Sequence, residues 1–525
     1  MTKSSYRLAG VQLNHASILL ILFVGVFCLN LLVPRDLWVQ DEARYGEVLR
    51  EMIATKGWLV PHLNAHPYPD KPPLYFWVVA ALSAVFGTGE LAFRMATLLS
   101  TLAAGIGVYL VGRRLFGARE AFWGTAIFAT CFLTLVVGQI VRMDMLLTAL
   151  TVFSWHALLR FGEDRKLSRL IGFWCLTALA VAVKGPIALL FTALPAIVWT
   201  AWTGGWRALG SLRVVSGLLM LAGMVGLWII MVIMQGQQQY LDTIWHEQIV
   251  GRAIKSWSHR EPVYFYLVLA PVLLLPWTAP VVRGLYAQIR NKETHWRFLV
   301  AFSLVPLLGI SLVSGKLFIY LEPLVPVLAV AAGLSAAQGE DNARVSRWWS
   351  WPPVLFVLVC AAGVFWLLQN YPVDKAVASA IGVALVLLAI TGIALARANV
   401  RNWMFGWMGL STILSWLLFG AMLYLLNPFF SARSLGESIV HQPADAEVGV
   451  VNTTRGILNY YAGRTMQELT AGEALGWWHA HPDAILIVQT DDVRAVFGDQ
   501  GLPSACRMHE TYFIELKEYH VLADC

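Results

Sequence analysis

The feature that most constrains this chain is a run of about eighteen apolar residues that returns along most of its length. Such runs fall at roughly 16–33, 92–112, 121–138, 144–161, 170–183, 186–203, 213–234, 264–282, 297–314, 318–337, 352–369, 377–396 and 403–426, thirteen in all. A hydrocarbon core of ~30 Å takes about that many residues of α-helix to cross. Lipid offers the backbone no hydrogen-bonding partner, so the runs must fold as helices that satisfy their own N–H and C=O groups. With 58% hydrophobic and 13% charged residues, the chain reads as an all-α polytopic membrane protein. Its 23 Trp and 16 Tyr suit the lipid–water interface and do not identify an activity.

The formal charge of +6 does not point to nucleic acid, because the basic residues are scattered over short loops instead of forming one patch or stripe. They set topology instead. With a cytoplasmic N-terminus, and with Leu74 to Gly87 not crossing, nineteen Lys and Arg fall in inside segments and twelve in the short outside loops. A crossing at 74–87 reverses that balance, and fourteen residues are too few to span untilted. Residues 41–54 and 74–87 are therefore expected as juxtamembrane helices at the outer face. Ile18 to Val33 lacks a small-residue cleavage site, so it is expected to stay as the first transmembrane helix and not to be removed as a signal peptide.

On this topology the outer face receives the polar stretch Trp38 to Pro73, within a loop 35–91, and the loop 235–262. It also receives the turns at Asp144, Lys184 and Lys316 and a tail from about 427 to 525. In 41–54, Tyr45, Val48, Leu49, Met52 and Ile53 recur at helical spacing as one apolar stripe, with Glu42, Glu47, Arg50 and Glu51 directed elsewhere and Asp41 placed to cap. Glu42 is expected to pair with a basic neighbour. The tail carries short β-branched runs at Val448 to Val451, Ala484 to Val488 and Tyr512 to Leu516, which predict a small α/β domain. The domain reading is 1–426 transmembrane and 427–525 soluble. Cys28, Cys131, Cys175 and Cys360 lie in apolar runs as small hydrophobes; Cys506 and Cys525 lie in the tail, either as two thiols or as a disulfide.

The polar pieces carry a pattern. Asp41-Glu42-Ala43-Arg44-Tyr45 resembles the Asp-Glu-Pro-Arg-Tyr motif of bacterial polyprenyl-phosphate-sugar glycosyltransferases, and Asp70-Lys71-Pro72-Pro73-Leu74 their Glu-Lys-Pro-Pro-Leu. Arg142-Met143-Asp144, Val183-Lys184-Gly185-Pro186, Glu247 through Arg252, His259-Arg260-Glu261-Pro262 and Gly315-Lys316-Leu317 through Tyr320 follow in the family's order. The resemblance covers residues 1 to about 335 and runs most closely to the lipid A aminoarabinose transferases, within the wider protein O-mannosyltransferase-related group. It implies a GT-C fold in a bacterial inner membrane, a periplasmic catalytic cavity and a soluble periplasmic C-terminal domain. It also implies an undecaprenyl-phosphate-linked sugar donor, with lipid A or another periplasmic glycan or protein as acceptor, and a monomer is expected.

Displacing a polyprenyl phosphate from an anomeric carbon calls for cations at the phosphate and carboxylates near the sugar or nucleophile. Asp41 and Asp144 are the candidate catalytic carboxylates; each also reads as a helix cap. For a hydroxyl acceptor Asp41 is the general base; for a phosphate acceptor it positions groups or stabilises charge. Lys71 and Arg252 are the candidate phosphate grips, with Arg260, Lys316 and Lys184 behind them; interfacial anchoring is the plainer reading of Lys316. Lys184 is costly in an apolar turn unless paired or functional. Tyr320 matches the family's tyrosine after Gly-Lys-Leu and belongs to donor binding.

A divalent metal, Zn²⁺ or Mg²⁺/Mn²⁺, has Asp70, His259 and Glu247 as candidate ligands. The chain departs from the lipid A relatives here, with Asp70 for Glu and Glu247-Gln248 for a Glu-His pair, and interfacial or capping roles are the plainer reading for His246 and His259. Glu322 stands where the family is apolar, just inside a span; acceptor or aminosugar recognition is the expectation for it. Two alternatives remain open: hexose or mannose transfer to protein or surface glycan, and a lipid-linked sugar transporter or flippase. The second predicts midplane charges and repeat symmetry, whereas the charges here cluster at one face.

Overall fold

The apolar runs fold as helices, and small residues decide which of them pack closely. A Cβ on Gly284 would stand 2.0 Å from the Ala331 carbonyl oxygen, and one on Gly333 would stand 2.5 Å from that of Glu120. The helices Thr278–Asn291 and Ala118–Thr130 thus press backbone to backbone against Val325–Gly339. Larger side chains would hold them apart, which is the usual reason for glycine at intramembrane crossings.

The computed structural model describes residues 5–523 except 9–10, 33–34, 247–260, 293, 314, 340–348, 397–399, 444–445, 454 and 503–507. Every one of the thirteen expected segments contains helix. Among the described residues nine helices are long and apolar enough to cross a membrane, and ten if the pair Phe265–Leu273 and Thr278–Asn291, bent by 113°, is one span. The other three fall short for local reasons. His15–Phe27 and Trp296–Leu312 have 13 and 17 residues, and the segment 121–138 breaks at Cys131 into Ala118–Thr130 and Phe132–Val137. Leu74–Phe86 is a helix of 13 residues launched after Pro72-Pro73, as expected.

The two breaks answer one another. Helix interruptions free backbone groups that lipid cannot satisfy. Phe132 N–H donates to the Leu275 carbonyl at 2.9 Å, the Cys131 thiol to Leu273 O at 3.4 Å, and Trp277 Nε1–H to Thr130 Oγ1 at 3.0 Å. Elsewhere Trp155 Nε1 donates to Phe191 O at 2.8 Å and Trp174 Nε1 to Leu212 O at 3.0 Å. Indoles therefore serve helix ends as well as the interface.

Contacts divide the chain into two units: Met1–Val33, Pro69–Tyr75 and Arg94–Met422 form one, and Pro34–Tyr68, Phe76–Phe93 and Leu423–Cys525 the other. The first holds the helices above apart from Leu74–Phe86, most of which belongs to the second, and contains an antiparallel hairpin, Ser5–Leu8 with Val11–Asn14, which the sequence pattern did not suggest.

The second unit contains a five-stranded sheet in the order Gln467–Leu469, Val448–Val451, Ile485–Gln489, Lys517–Ala523, Met508–Ile514. The first three strands are parallel and the last two antiparallel to their neighbours. The runs Val448 to Val451 and Ala484 to Val488 fall on strands, whereas Tyr512 to Leu516 is strand only to Ile514, with Glu515 and Leu516 turning at positive φ into the next strand. Val448–Val451 and Ile485–Gln489 are buried at every position, as central strands covered on both faces should be. Val450, Ile485 and Ile487 pack on Leu435 and Ile439, while Val451, Leu486 and Val488 pack with Ala474, Trp478 and Val496.

The same unit holds the helix Val39–Thr55. Tyr45, Val48, Leu49 and Met52 of its apolar stripe are buried and Ile53 half-buried, and Glu42, Glu47 and Glu51, directed away from the stripe, are buried as well. Gly46 lies so close to Leu37 and Tyr460 that an added Cβ would come within 2.8 Å of each. Glu42 pairs with Arg35 at 2.6 Å, as expected for a structural carboxylate, and accepts from Trp38 N–H at 2.6 Å. Arg433 reaches Asp36 at 2.6 Å and Glu90 at 2.5 Å. Asn64, in left-handed conformation, exchanges bonds with Met466 N and O, both at 2.9 Å.

Candidate functional site

Asp144 opens the helix Asp144–Asp164 and is completely buried. A lone carboxylate there would be far too costly. Lys184, the last residue of Leu167–Lys184, closes an ion pair with its Oδ1, and Arg142 Nε stands 3.4 Å from its Oδ2. Lys71 also bears electrostatically on Asp144. The expected cost of Lys184 in an apolar turn is thus met by pairing. Its helix can end there because Gly185 follows with φ +78, a conformation that residues with a side chain rarely adopt.

Tyr320 lies in the 3-10 turn Phe318–Leu324, and the Lys184 ammonium sits 4.3 Å from its ring centroid. A cation over an aromatic face gains energy, more so when desolvated. The Tyr266 hydroxyl donates to Leu317 O at 3.1 Å, and Tyr320 N–H donates to the same oxygen at 3.0 Å. Tyr266 was missed by the sequence reading, since a tyrosine inside an apolar run carries no signal of its own. Two cations, Lys184 and Arg142, thus meet on one carboxylate, with Lys71 near enough to bear on it, and cationic groups of this kind are what an anion such as a phosphate binds. The Arg142 and Lys184 side chains keep 16% and 10% of their exposure against 1% for Asp144, so the cations and not the carboxylate are reachable.

The other described candidates have partners of their own. Lys316 is buried and its ammonium donates to the Glu261 carbonyl at 2.8 Å. Asp70 bears on Tyr240, whose buried hydroxyl is held well above the usual tyrosine range, chiefly by burial and then by that carboxylate. Glu322 is wholly buried, with Oε1 accepting from Thr134 Oγ1 at 3.0 Å, and it lies within electrostatic reach of Asp144. Asp41 belongs to the second unit. The Val39–Thr55 helix begins before it, with Trp38 at the cap position, so Asp41 is a first-turn residue and not the cap. Arg44 lies 4.0 Å from it.

Glu247, Arg252, His259 and Arg260, together with Cys506 and Cys525, fall outside the described residues. Among the described residues no group of three His, Cys, Asp or Glu side chains is assembled for a metal. Of the three candidate ligands only Asp70 is among the described residues.

A family model described as dolichyl-phosphate-mannose-protein mannosyltransferase matches residues 70–234. A crystal structure of ArnT from Cupriavidus metallidurans in the apo state superposes with TM-score 0.77 at 19% identity, covering 97% of each chain. A second, of the same protein bound to undecaprenyl phosphate, gives 0.75 over the same coverage. The fold defines the class: this is a multispanning membrane protein with an ArnT-like GT-C fold. Within that class it is similar to undecaprenyl phosphate-alpha-4-amino-4-deoxy-L-arabinose arabinosyl transferases. That of Pseudomonas aeruginosa is 31% identical over 61% of this chain, and that of Erwinia tasmaniensis 26% over 75% of it. The match spans 59% of the Pseudomonas relative's own length and 74% of the Erwinia one's.

Proposed function

We propose that the protein is an inner-membrane glycosyltransferase that moves 4-amino-4-deoxy-L-arabinose from an undecaprenyl-phosphate donor to a phosphate of lipid A at the periplasmic face. The observation that carries this reading is the convergence of Lys184, Arg142 and Lys71 on buried Asp144. Asp144 fixes cations that can turn to the donor phosphate. An oxygen of the acceptor phosphate attacks the anomeric carbon, the bond from that carbon to the donor phosphate oxygen breaks, and the electron pair leaves on the phosphate. The cations stabilise that growing charge, preorganised where water would have to reorient. A phosphate acceptor is already ionised, so no general base is required, and Asp41 then orients groups or offsets positive charge on the sugar. Arg252 and Arg260 belong to the same proposal as further phosphate grips, on the motif alone.

Mass spectrometry of lipid A from cells with and without the gene tests the reading: the aminoarabinose-bearing species should vanish on deletion. The family model's description favours a second reading, mannosyl transfer to protein; unchanged lipid A with loss of a protein-linked hexose would select it. A divalent cation on Asp70, Glu247 and His259 is a separate proposal. Metal content of the purified protein tests it, with D70N expected to lower the bound equivalents; unchanged content in D70N would dismiss that ligand set.

A further inference from the structure

Glu322 is an acidic residue inside an apolar turn. The side chain is completely buried, Oε1 accepts from Thr134 Oγ1 at 3.0 Å, and among the described residues Oε2 has no hydrogen-bond partner. Thr134 stands in the short helix Phe132–Val137, just after the break at Cys131. Glu322 stands two residues beyond Tyr320 in the 3-10 turn Phe318–Leu324, where Val325 N–H donates to the Glu322 carbonyl. Turns of this kind have poor internal bonding geometry and hold their shape through outside contacts. Two side-chain bonds supply them here: Tyr266 to Leu317 O on one side of Tyr320, and Thr134 to Glu322 on the other.

We propose that the Thr134–Glu322 hydrogen bond is a positioning contact that fixes the Phe318–Leu324 turn, keeping Tyr320 over Lys184 and Lys184 on Asp144. Glu322 acts through Tyr320 and touches neither donor nor acceptor. A half-satisfied polar group in a buried place costs free energy, and the arrangement of the charge cluster is what that cost maintains. The catalytic consequence rests on the proposed function, whereas the positioning itself does not.

Amine-reactive labelling of the purified full-length protein, read by mass spectrometry at Lys184 and at Lys316, tests the contact directly. Losing one buried hydrogen bond is expected to raise Lys184 labelling by roughly tenfold in E322L and in T134V. E322Q keeps the acceptor oxygen and T134S the donor, so both should label like the wild type. The double variant T134V/E322L should match the singles, because one bond cannot be lost twice. Unchanged Lys184 labelling in E322L and T134V would overturn the proposal, and so would an equal rise at Lys316, which would mean general loosening. A parallel sugar-transfer assay separates the two claims: a wild type that transfers nothing refutes the proposed function, while labelling still decides the positioning.

Discussion

Replacing Lys184 by Met removes the closest cation from a carboxylate that keeps no solvent contact. Two unit charges about 4 Å apart attract by ~4 kcal/mol at an effective dielectric of 20, and breaking one side of a buried pair costs about 3–5 kcal/mol. Arg142, 3.4 Å from the other oxygen, and Lys71 remain to Asp144, so about 3 kcal/mol is the expected loss for K184M. D144N should cost a similar amount, since it removes the carboxylate that the half-hidden Lys184 ammonium is paired with. The double variant D144N/K184M carries neither buried charge and should recover stability relative to both singles. Thermal unfolding of the four proteins in one detergent ranks them by apparent midpoint. The predicted order is wild type first, then the double variant, then the two singles. A double variant whose midpoint falls by the sum of the single losses would refute the reasoning that the pair is one electrostatic unit.

Glu47 is buried, and burial, opposed by the Arg50 guanidinium, pushes its carboxyl up to about 7. A raised acid favours the protonated fold, so its contribution to stability is present below about 4.5, its unfolded value, and is lost as pH rises to about 7. E47Q should flatten that part of a stability-versus-pH profile followed by proteolysis of the second unit; an unchanged slope would assign it to another group. A Cβ at Gly333 would meet the Glu120 carbonyl oxygen at 2.5 Å, so G333A is expected to cost about 1–3 kcal/mol and G333L to yield no folded protein by size-exclusion of detergent extracts. R433A removes the arginine that joins Asp36 and Glu90. It should speed protease cleavage of the second unit with a loss of about 1–2 kcal/mol, since the side chain is 38% exposed.

Helix positions were legible because hydrocarbon thickness fixes their length, and the tail strands were legible because β-branched runs mark them. Asp144, Lys184 and Tyr320 were legible as motif residues, and the structure brings these three into one cluster. What was hidden depends on partners far away in sequence. The burial of Glu47 beside Leu49 and Met52 follows from what covers Val39–Thr55, and Asn64 bonds to Met466 across about four hundred residues. The break at Cys131 was equally hidden, since its freed groups are met by Leu273, Leu275 and Trp277. Thr134 looks like any small polar residue in an apolar run until Glu322 is found against it.

The proposed reaction is transfer of aminoarabinose from an undecaprenyl-phosphate carrier to lipid A phosphate. Its most direct test is the purified protein in lipid nanodiscs, supplied with undecaprenyl-phosphate aminoarabinose and lipid A and followed by mass spectrometry. The account predicts lipid A gaining one aminopentose on a phosphate with release of undecaprenyl phosphate. Unmodified lipid A from active, folded protein that instead glycosylates a peptide from a mannose donor would contradict it.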